Sequence, residues 1–556
     1  MPLPSPDWSS FQPAYDALLA EELSAADVSG WLVRWSELEG QLQEINGRAH
    51  RAYSENTLDP EAEARVNHLI EHVIPKWKVA GNALDRKLLG VDGFVPDAQT
   101  ELFLRSVQVS AQTFRSENVP LEAELDRLEN EYSKIVGGLM VVLDGEELTV
   151  PKAYQRLLEV DRDRRESAWR AVHVAMLAVR EDLNDLFLKI LPLRRALARN
   201  AGLANFRDLM WLRNQRFDYT PDDCATLHSS ILQTVVPLAL KLMRRRQESL
   251  GLEGVRPWDT VVDPLAQTPL QPFSQSSELE EASQRILGEL EPTFAKHFAS
   301  LRDGFLDLES RKGKSPGGYC DYFPVTKRPY IFMNAVGTHN DVQTMLHEAG
   351  HAIHAIESAD AQTLVWNLHG PMEFCEVAAM GMEMLGQPYL ERDRGGFYSQ
   401  HDANRARREH LQGTVDFLPY MSVVDAFQQW LYADAPETIT SSDLDAKWDE
   451  LYREFSPSED WTGLEEVRAT GWQRKQHIFT SPLYYVEYGI AQLGALQLWR
   501  NAQQDEHGTV DQFRQSLRLG KTRGLRDLFE AAGIKLAFDA ETIGELMILV
   551  EAQLEP

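Results

Sequence analysis

Apolar residues recur at helical spacing along most of this chain. The spacing is sustained over residues 61–89, 99–135, 152–201 and 222–250, which contain few breakers. Gly202 follows the third stretch, and a glycine in that position is typical of a helix end. The pattern predicts a mainly α-helical protein.

Two short segments depart from the helical pattern. Residues 139–150 read LMVVLDGEELTV, in which the pair Asp144-Gly145 indicates the turn of a β-hairpin. Residues 330–334, YIFMN, read as a short strand. The chain has 556 residues, 43% of them hydrophobic, so it can bury a large core.

The segment HEAGHAIH, residues 347–354, contains the pattern His-Glu-x-x-His. Residues four apart lie on one face of a helix, so His347 and His351 can bind the same zinc ion. Glu348 is close enough to reach a metal-bound water without being a ligand, as the general base of a zinc peptidase does. Such a site needs a third protein ligand and an open position for water or substrate.

The third ligand does not come from the same helix. One type of zinc site has a glycine three residues after the second histidine and a third histidine three residues later. Here those positions hold His354 and Glu357. Without the glycine the helix continues, and Glu357 then lies roughly 240° around the axis from His351. His354 is too far along the helix to bind the same ion, and we interpret it as a supporting, substrate-contacting or core residue.

A second helix offers carboxylates. Residues 372–385 read MEFCEVAAMGMEML, with helical spacing of apolar residues, a proline before and a glycine after. Glu373, Glu376 and Glu383 fall within one broad face of this helix. A carboxylate on an apolar face is costly to bury unless it is paired or bound to a metal. Geometry alone leaves Glu373 and Glu376 both open as the third ligand.

These motifs resemble those of the thimet oligopeptidase and oligoendopeptidase F group of metallopeptidases, family M3, and are most similar to the Pz-peptidase-like oligoendopeptidases. In that family the third ligand is a glutamate 25 residues after the second histidine, which is Glu376 here, and EFCEVAA at 373–379 matches the neighbouring family pattern. The resemblance implies one zinc ion per chain, bound by His347, His351 and Glu376, with Glu348 as the base.

The resemblance extends to HIFTSPLYYVEYGIAQLGALQ, residues 477–497. It implies that His477 and two tyrosines stabilise the oxyanion of the tetrahedral intermediate. Tyr484 and Tyr488 are favoured because they would share a face if the segment is helical, whereas Tyr485 would face elsewhere. The alternative is that these rings form a packing cluster.

The resemblance also implies a fold and a substrate groove. We expect a two-lobed, mostly helical zincin of the gluzincin type, with an N-terminal helical lobe at 1–200, a catalytic lobe at 201–556 and a small β-sheet beside a deep groove. RKGKSPGGY, residues 311–319, resembles the family's glycine-rich loop at this groove. The strand at 330–334 would be an edge to which an extended peptide adds. Such a groove admits short peptides and excludes folded proteins.

Charge and cysteine content narrow the possible partners and location. The net charge is −29, with 85 acidic and 56 basic residues, which argues against binding to nucleic acids or anionic membranes. Three scattered cysteines fit a reducing compartment. The start MPLPSPDWSS lacks a secretion signal and no apolar run is long enough for a membrane span, so we expect a cytoplasmic protein.

The sequence therefore predicts a zinc-dependent endopeptidase that hydrolyses internal bonds of short peptides. One alternative is an exopeptidase of the dipeptidyl carboxypeptidase type, for which the sequence identifies no basic residue to bind the terminal carboxylate. Another is a catalytically silent, zinc-containing peptide-binding protein, which would have no use for Glu348. Nothing in the pattern specifies an oligomeric state.

Overall fold

The computed structural model describes residues 7–265 and 267–555, and this part of the chain is mostly helical. The first six helices are α1 (Gln12–Ala20), α2 (Val28–Glu55), α3 (Pro60–His68), α4 (Ile74–Leu89), α5 (Glu101–Thr113) and α6 (Val119–Gly137). The next eight are α7 (Val150–Gln155), α8 (Arg162–Ala178), α9 (Arg180–Ala201), α10 (Phe206–Arg213), α11 (Pro221–Thr234), α12 (Val236–Leu250), α13 (Ser276–Leu290) and α14 (Pro292–Ala299). The last ten are α15 (His339–Ala361), α16 (Met372–Gly386), α17 (Gln400–Ala433), α18 (Ser441–Phe455), α19 (Glu465–Ala469), α20 (Gln476–Thr480), α21 (Val486–Ala502), α22 (Glu506–Leu517), α23 (Leu525–Ala531) and α24 (Ala540–Leu554).

The mainly helical fold predicted from apolar spacing is confirmed, although three of the four long stretches are divided into shorter helices. Only α3 and α4 are nearly continuous, joined by a π-helical turn at Leu69–Val73. Pro120 and Pro237 fall in the first turns of α6 and α12. A proline is tolerated there because its missing N–H would have no partner, but it cannot continue a preceding helix. Gly202 ends α9 with a φ of 78°, as expected of a C-terminal glycine.

The predicted β-hairpin is confirmed. Strands β1 (Met140–Leu143) and β2 (Glu146–Thr149) pair antiparallel. Asp144 and Gly145 both have positive φ, 53° and 83°. This is the backbone that a two-residue hairpin turn requires, and Asp-Gly adopts it at low cost.

A three-stranded sheet lies next to α15. It consists of β3 (Leu306–Glu309), β4 (Tyr319–Phe323) and β5 (Arg328–Ala335), in the order β3-β5-β4. The strand predicted at 330–334 is therefore confirmed, but its position at an edge is wrong. Ile331 pairs with Leu306 on one side and with Cys320 on the other, so β5 has no free side for a peptide. Within the described residues the edges are β3 and β4.

The hydrophobic core forms two main clusters. The larger one extends from Leu125 in α6 to Val550 in α24, so α6 and α9 share a core with the C-terminal helices. The second contains buried residues between Trp8 and Val107 and is joined by Leu364. The predicted boundary between lobes near residue 200 stays a prediction.

A cavity of about 1020 Å³ lies between these clusters. Its lining includes residues of α2, α4, α5 and α6 together with residues from 365–373 and 521–525. This volume is at the upper end of the range for ligand pockets and can hold several residues of a peptide.

None of the described helices is both long enough and apolar enough to cross a bilayer. Of the segment MPLPSPDWSS, from which we expect no secretion signal, the first six residues lie outside the described part of the chain. The described part of that segment begins at Asp7 and leads through a short 3-10 turn, Trp8–Ser10, into α1.

Candidate metal centre and active site

Helix α15, which carries His347 and His351, has a well-defined start. Oδ2 of Asp341 accepts hydrogen bonds from the backbone N–H groups of Val336, Gly337 and Thr338, at 3.0, 2.8 and 2.7 Å. Asp341 therefore caps the start of this helix. A carboxylate there satisfies unpaired N–H groups and interacts favourably with the helix dipole, which fixes where the helix begins.

Gly350 lets α15 touch α16. A Cβ atom at this position would lie 2.5 Å from the carbonyl oxygen of Ala378 and 2.6 Å from Cα of Ala379. Any larger residue would therefore separate the two helices. The glycine inside the His-Glu-x-x-His motif thus has a packing function, which is to bring the carboxylates of α16 up to the histidines of α15.

The two helices bring together the three predicted metal ligands. Oε2 of Glu376 lies 3.3 Å from Nε2 of His347 and 3.6 Å from Nε2 of His351, and the three donor atoms lie within 4.8 Å of one another. Donors placed tetrahedrally at 2.0–2.2 Å from a zinc ion are separated by roughly 3.3–3.6 Å. Oε2 of Glu376 is buried and has no hydrogen-bond partner among the described residues. The residues present fit a zinc ion.

Glu373, the alternative ligand that the sequence left open, faces a different group of side chains. Oε1 of Glu373 accepts a hydrogen bond from the hydroxyl of Tyr219 at 2.5 Å and lies 3.8 Å from Nε of Arg216. Its carboxylate is therefore already paired, whereas Oε2 of Glu376 is not. This contrast favours Glu376 as the third ligand.

Glu383, which lies about two helical turns after Glu376 on α16, supports the first histidine. Its Oε1 accepts a hydrogen bond from Nδ1 of His347 at 2.7 Å, and its Oε2 lies 3.1 Å from Nε2 of His410. The sequence showed Glu383 on the correct face but gave it no role. A carboxylate on the outer nitrogen of a histidine fixes the ring and leaves the other nitrogen free for the metal.

Glu348 is buried beside the glycine-rich loop. A Cβ atom at Gly318 would lie 3.4 Å from Oε1 of Glu348, so the loop passes close to the carboxylate. Oε2 of Glu348 has no hydrogen-bond partner among the described residues. Burial raises the pKa of Glu348 to about 7, and the negative charges of Glu376 and Glu383 act in the same direction.

The predicted oxyanion-binding residues lie close together, in an arrangement that differs from the expected one. Helix α21 begins only at Val486, so Tyr484 precedes it and does not share a helix face with Tyr488. Their rings are nevertheless 5.2 Å apart, and Nε2 of His477 lies 3.2 Å from the hydroxyl of Tyr488. Burial lowers the pKa of His477 to about 3, so its ring is neutral.

The tyrosines make different contacts. The hydroxyl of Tyr484 donates a hydrogen bond to Oε1 of Glu376, the oxygen that faces away from the histidines. The hydroxyl of Tyr485 accepts one from Nζ of Lys475 at 2.7 Å, and its ring packs against Phe417. Tyr484 thus contacts the candidate ligand and Tyr488 contacts His477. The ring of Tyr485 packs edge-on against His477 with ring centres 5.1 Å apart, but its hydroxyl is engaged by Lys475.

Arg216 holds the turn that precedes Tyr484. The guanidinium is fully buried; its Nη2 donates hydrogen bonds to the carbonyl of Leu483 and to Oε1 of Glu487, the latter at 2.7 Å. Leu483 has a φ of 62°, a left-handed backbone that is unfavourable for leucine. Sequence reasoning missed Arg216, which lies more than 250 residues away along the chain and within no motif.

His354 and Glu357 lie away from the metal ligands. His354 is buried with its ring centre 5.9 Å from that of Phe374, and its Nε2 has no partner among the described residues. Glu357 pairs with Arg514 at 2.6 Å and with Arg518 at 2.8 Å. The prediction that Glu357 cannot reach the metal agrees with this position.

A mostly helical fold in which a His-Glu-x-x-His helix packs against a carboxylate-bearing helix defines a helical zincin. Residues 157–548 match peptidase family M3, and the chain belongs to this family. The resemblance inferred from the motifs is confirmed.

Individual relatives are distant. The chain is 23% identical over 325 residues to the oligopeptidase PepF of Bacillus subtilis, which is 56% of this chain and 46% of that protein. It is 23% identical over 344 residues to an oligoendopeptidase F homolog of Borreliella burgdorferi, which is 59% of this chain and 55% of that protein. The chain spans about half the length of these curated relatives. A solved structure of Pz peptidase A with an inhibitor has 24% identity and a TM-score of 0.93, over 100% of this chain and 98% of that one. This likeness shows a shared fold.

Proposed function

We propose that the protein is a zinc-dependent endopeptidase that hydrolyses internal bonds of short peptides. The observation that carries this proposal is the buried Oε2 atom of Glu376, which has no hydrogen-bond partner among the described residues and faces Nε2 of both His347 and His351. An unpaired carboxylate oxygen is costly to bury, and a cation between these three donors removes the cost.

Each side chain has a role in this mechanism. His347, His351 and Glu376 would hold the zinc, which supplies Lewis acidity for the substrate carbonyl and for water. Glu348 accepts the proton of the attacking water and passes it to the leaving amine. The hydroxyl of Tyr488, backed by His477, donates a hydrogen bond to the oxyanion.

The substrate class follows from the cavity and from the names of the relatives. The cavity of about 1020 Å³ is bordered by the start of α16, the helix that carries Glu376, although no candidate metal ligand lines it; its volume holds a few residues of an extended peptide and excludes a folded protein. The relatives include an oligopeptidase and an oligoendopeptidase F homolog. Within the described residues β4 is an edge strand next to α15, and it offers main-chain hydrogen bonds to a peptide of any sequence. We also propose a cytoplasmic location, because three scattered cysteines fit a reducing compartment.

The test is cleavage of a short, internally quenched peptide with both ends blocked. Wild type and Glu348→Gln are compared, together with their zinc content, and Glu289→Gln serves as a control because Glu289 is exposed. We expect internal cleavage by wild type and the control only, with equal zinc in all three. If the protein cleaves only peptides with unblocked ends, it is instead an exopeptidase of the dipeptidyl carboxypeptidase type. Equal cleavage by Glu348→Gln would exclude the proposed mechanism.

A further inference from the structure

Five basic side chains line the cavity between the two clusters, and four of them are paired. Lys78 and Arg213 both contact Glu122, at 2.8 and 2.7 Å. Arg194 pairs with Glu129, and Arg216 pairs with Glu487. The fifth, Lys521, differs from the others: within the described part of the chain no carboxylate or hydrogen-bond acceptor contacts its ammonium group.

The main chain fixes Lys521 in place. Its backbone N–H donates a hydrogen bond to the carbonyl of Asn367 at 3.1 Å. The preceding residue, Gly520, is so close to the same carbonyl that a Cβ atom would lie 2.0 Å from it. The unpaired ammonium group therefore projects from a rigid part of the wall.

The lining of the cavity includes the start of α16, the helix that carries the candidate ligand Glu376, although no candidate metal ligand is itself among the lining residues. Glu373 lines the same cavity, and it precedes the candidate ligand Glu376 by three residues on α16, or roughly 4.5 Å along the helix axis. His369 also lines the cavity; the charge of Lys521 acts on His369, and His369 in turn acts on His351. A peptide that occupies the cavity therefore passes within about one helical turn of the candidate ligand Glu376 when it contacts Lys521.

Lys521 is half-buried, and partial loss of hydration makes an anionic partner favourable at this position. Loss of hydration lowers the pKa of Lys521 to about 8, so the group is still mostly protonated at neutral pH. An unpaired ammonium group in a cavity is compensated when an anion binds to it. The same cavity is also lined by acidic side chains, among them Glu39, Asp85 and Asp126, and burial raises the pKa of each of these carboxyl groups. None of them attracts an anion, so an anion in the cavity is favoured at Lys521.

We propose that Lys521 binds a carboxylate of the peptide and thereby determines which peptides are cleaved, an inference that rests on the proposed function. The carboxylate is either the free C-terminal group or the side chain of an acidic residue. Both sources supply the same chemistry to the ammonium group, and the experiment separates them.

The experiment uses four quenched peptides of one sequence on the zinc-loaded protein. They combine a free or amidated C-terminus with Glu or Gln at the position that is varied. We expect wild type to prefer one of the carboxylate forms by about tenfold in kcat/KM, the size of one ion pair in a partly desolvated site. Lys521→Met loses this preference and keeps its activity on the doubly neutral peptide, and Lys521→Arg retains part of it.

Lys78→Met is the matched control, since Lys78 lines the same cavity but is already paired, and it should keep the preference of wild type. A preference for the free C-terminus identifies the terminal carboxylate, and a preference for Glu identifies the side chain. Equal preferences in wild type and Lys521→Met would overturn the proposal.

A binding measurement tests the role of Lys521 even if the protein is not the peptidase that we propose. If wild type cleaves none of the peptides, binding of the same four peptides is measured with Glu348→Gln and with Glu348→Gln/Lys521→Met. Tighter binding of a carboxylate form that disappears in the double variant supports Lys521 as its binding residue. Equal binding by both variants rejects it.

Discussion

Glu383 and His347 form a 2.7 Å hydrogen bond that connects α16 to α15 behind the candidate metal centre. Nδ1 of His347 donates to Oε1 of Glu383, while Oε2 of Glu383 lies 3.1 Å from His410. With Nδ1 engaged in this way, Nε2 is the only nitrogen of the ring that can bind a metal, and it faces Glu376.

Replacing Glu383 by alanine is therefore expected to weaken zinc binding by about 10- to 100-fold, the usual effect of removing the hydrogen-bond partner of a metal-bound histidine. Competition with a chelator of known affinity measures this effect. Glu289→Ala is the control, because Glu289 is exposed. If zinc affinity is unchanged in a folded Glu383→Ala protein, this hydrogen bond does not orient His347.

Gly350→Ala tests whether close contact between α15 and α16 builds the site. The added methyl group would overlap with the carbonyl of Ala378, so we expect a loss of about 1–3 kcal/mol in the free energy of unfolding and weaker zinc binding. Gly413→Ala is the matched control: Gly413 is in helix α17, and nothing lies within 4 Å of its would-be Cβ. Alanine there should stabilise the protein by about 0.5–1 kcal/mol. Equal effects in both variants would contradict this explanation.

Phenylalanine variants of the three tyrosines are expected to affect zinc binding and catalysis differently. Tyr484→Phe removes the hydroxyl that contacts Glu376, so zinc affinity should fall by about tenfold. Tyr488→Phe removes the donor that we propose for the oxyanion, so kcat should fall by about 10²- to 10³-fold with zinc affinity unchanged. Tyr485→Phe should change neither, because its hydroxyl contacts Lys475. Zinc titration and steady-state kinetics distinguish these outcomes; an unchanged kcat in Tyr488→Phe would remove it from the mechanism.

The sequence predicts those parts of the site that depend on local spacing. His347 and His351 are four residues apart on one helix, and the helix that carries Glu376 is recognisable from its apolar pattern. The choice between Glu373 and Glu376 could not be made from spacing. It depends on Tyr219 and Arg216, which reach Glu373 from a segment more than 150 residues earlier in the chain.

The central position of β5 was equally hidden from the sequence. Its second neighbour, β3, is parallel to it, and a parallel pair is not joined by a short turn that a sequence pattern can indicate. The antiparallel neighbour β4 is joined to β5 by a short connection. The roles of Arg216 and Glu383 could not be predicted for the same physical reason: they depend on contacts between distant segments, and such contacts leave no local periodicity in the sequence.

Glu357 lies in a buried ion cluster whose contribution to stability depends on pH. Burial alone would raise its pKa, but hydrogen bonds from His297, Arg514 and Arg518 outweigh this effect and lower the pKa from 4.5 to about 2. A carboxylate with a lowered pKa stabilises the folded state above the pKa of the unfolded chain. This stabilisation is lost as the pH falls from about 4.5 towards 2.

We therefore expect Glu357→Gln to reduce the free energy of unfolding at pH 7 by about 3 kcal/mol, because two arginines lose their buried partner. The difference between wild type and variant should shrink as the pH is lowered from 5 to 3, because the unfolded wild-type chain then takes up a proton at Glu357 that the folded protein, with its pKa of about 2, does not yet bind. Denaturant unfolding of both metal-free proteins at several pH values measures this difference, and comparing the two cancels the titration of all other groups. A difference that is constant across this range would show that packing of the side chain, and not its charge, accounts for its contribution.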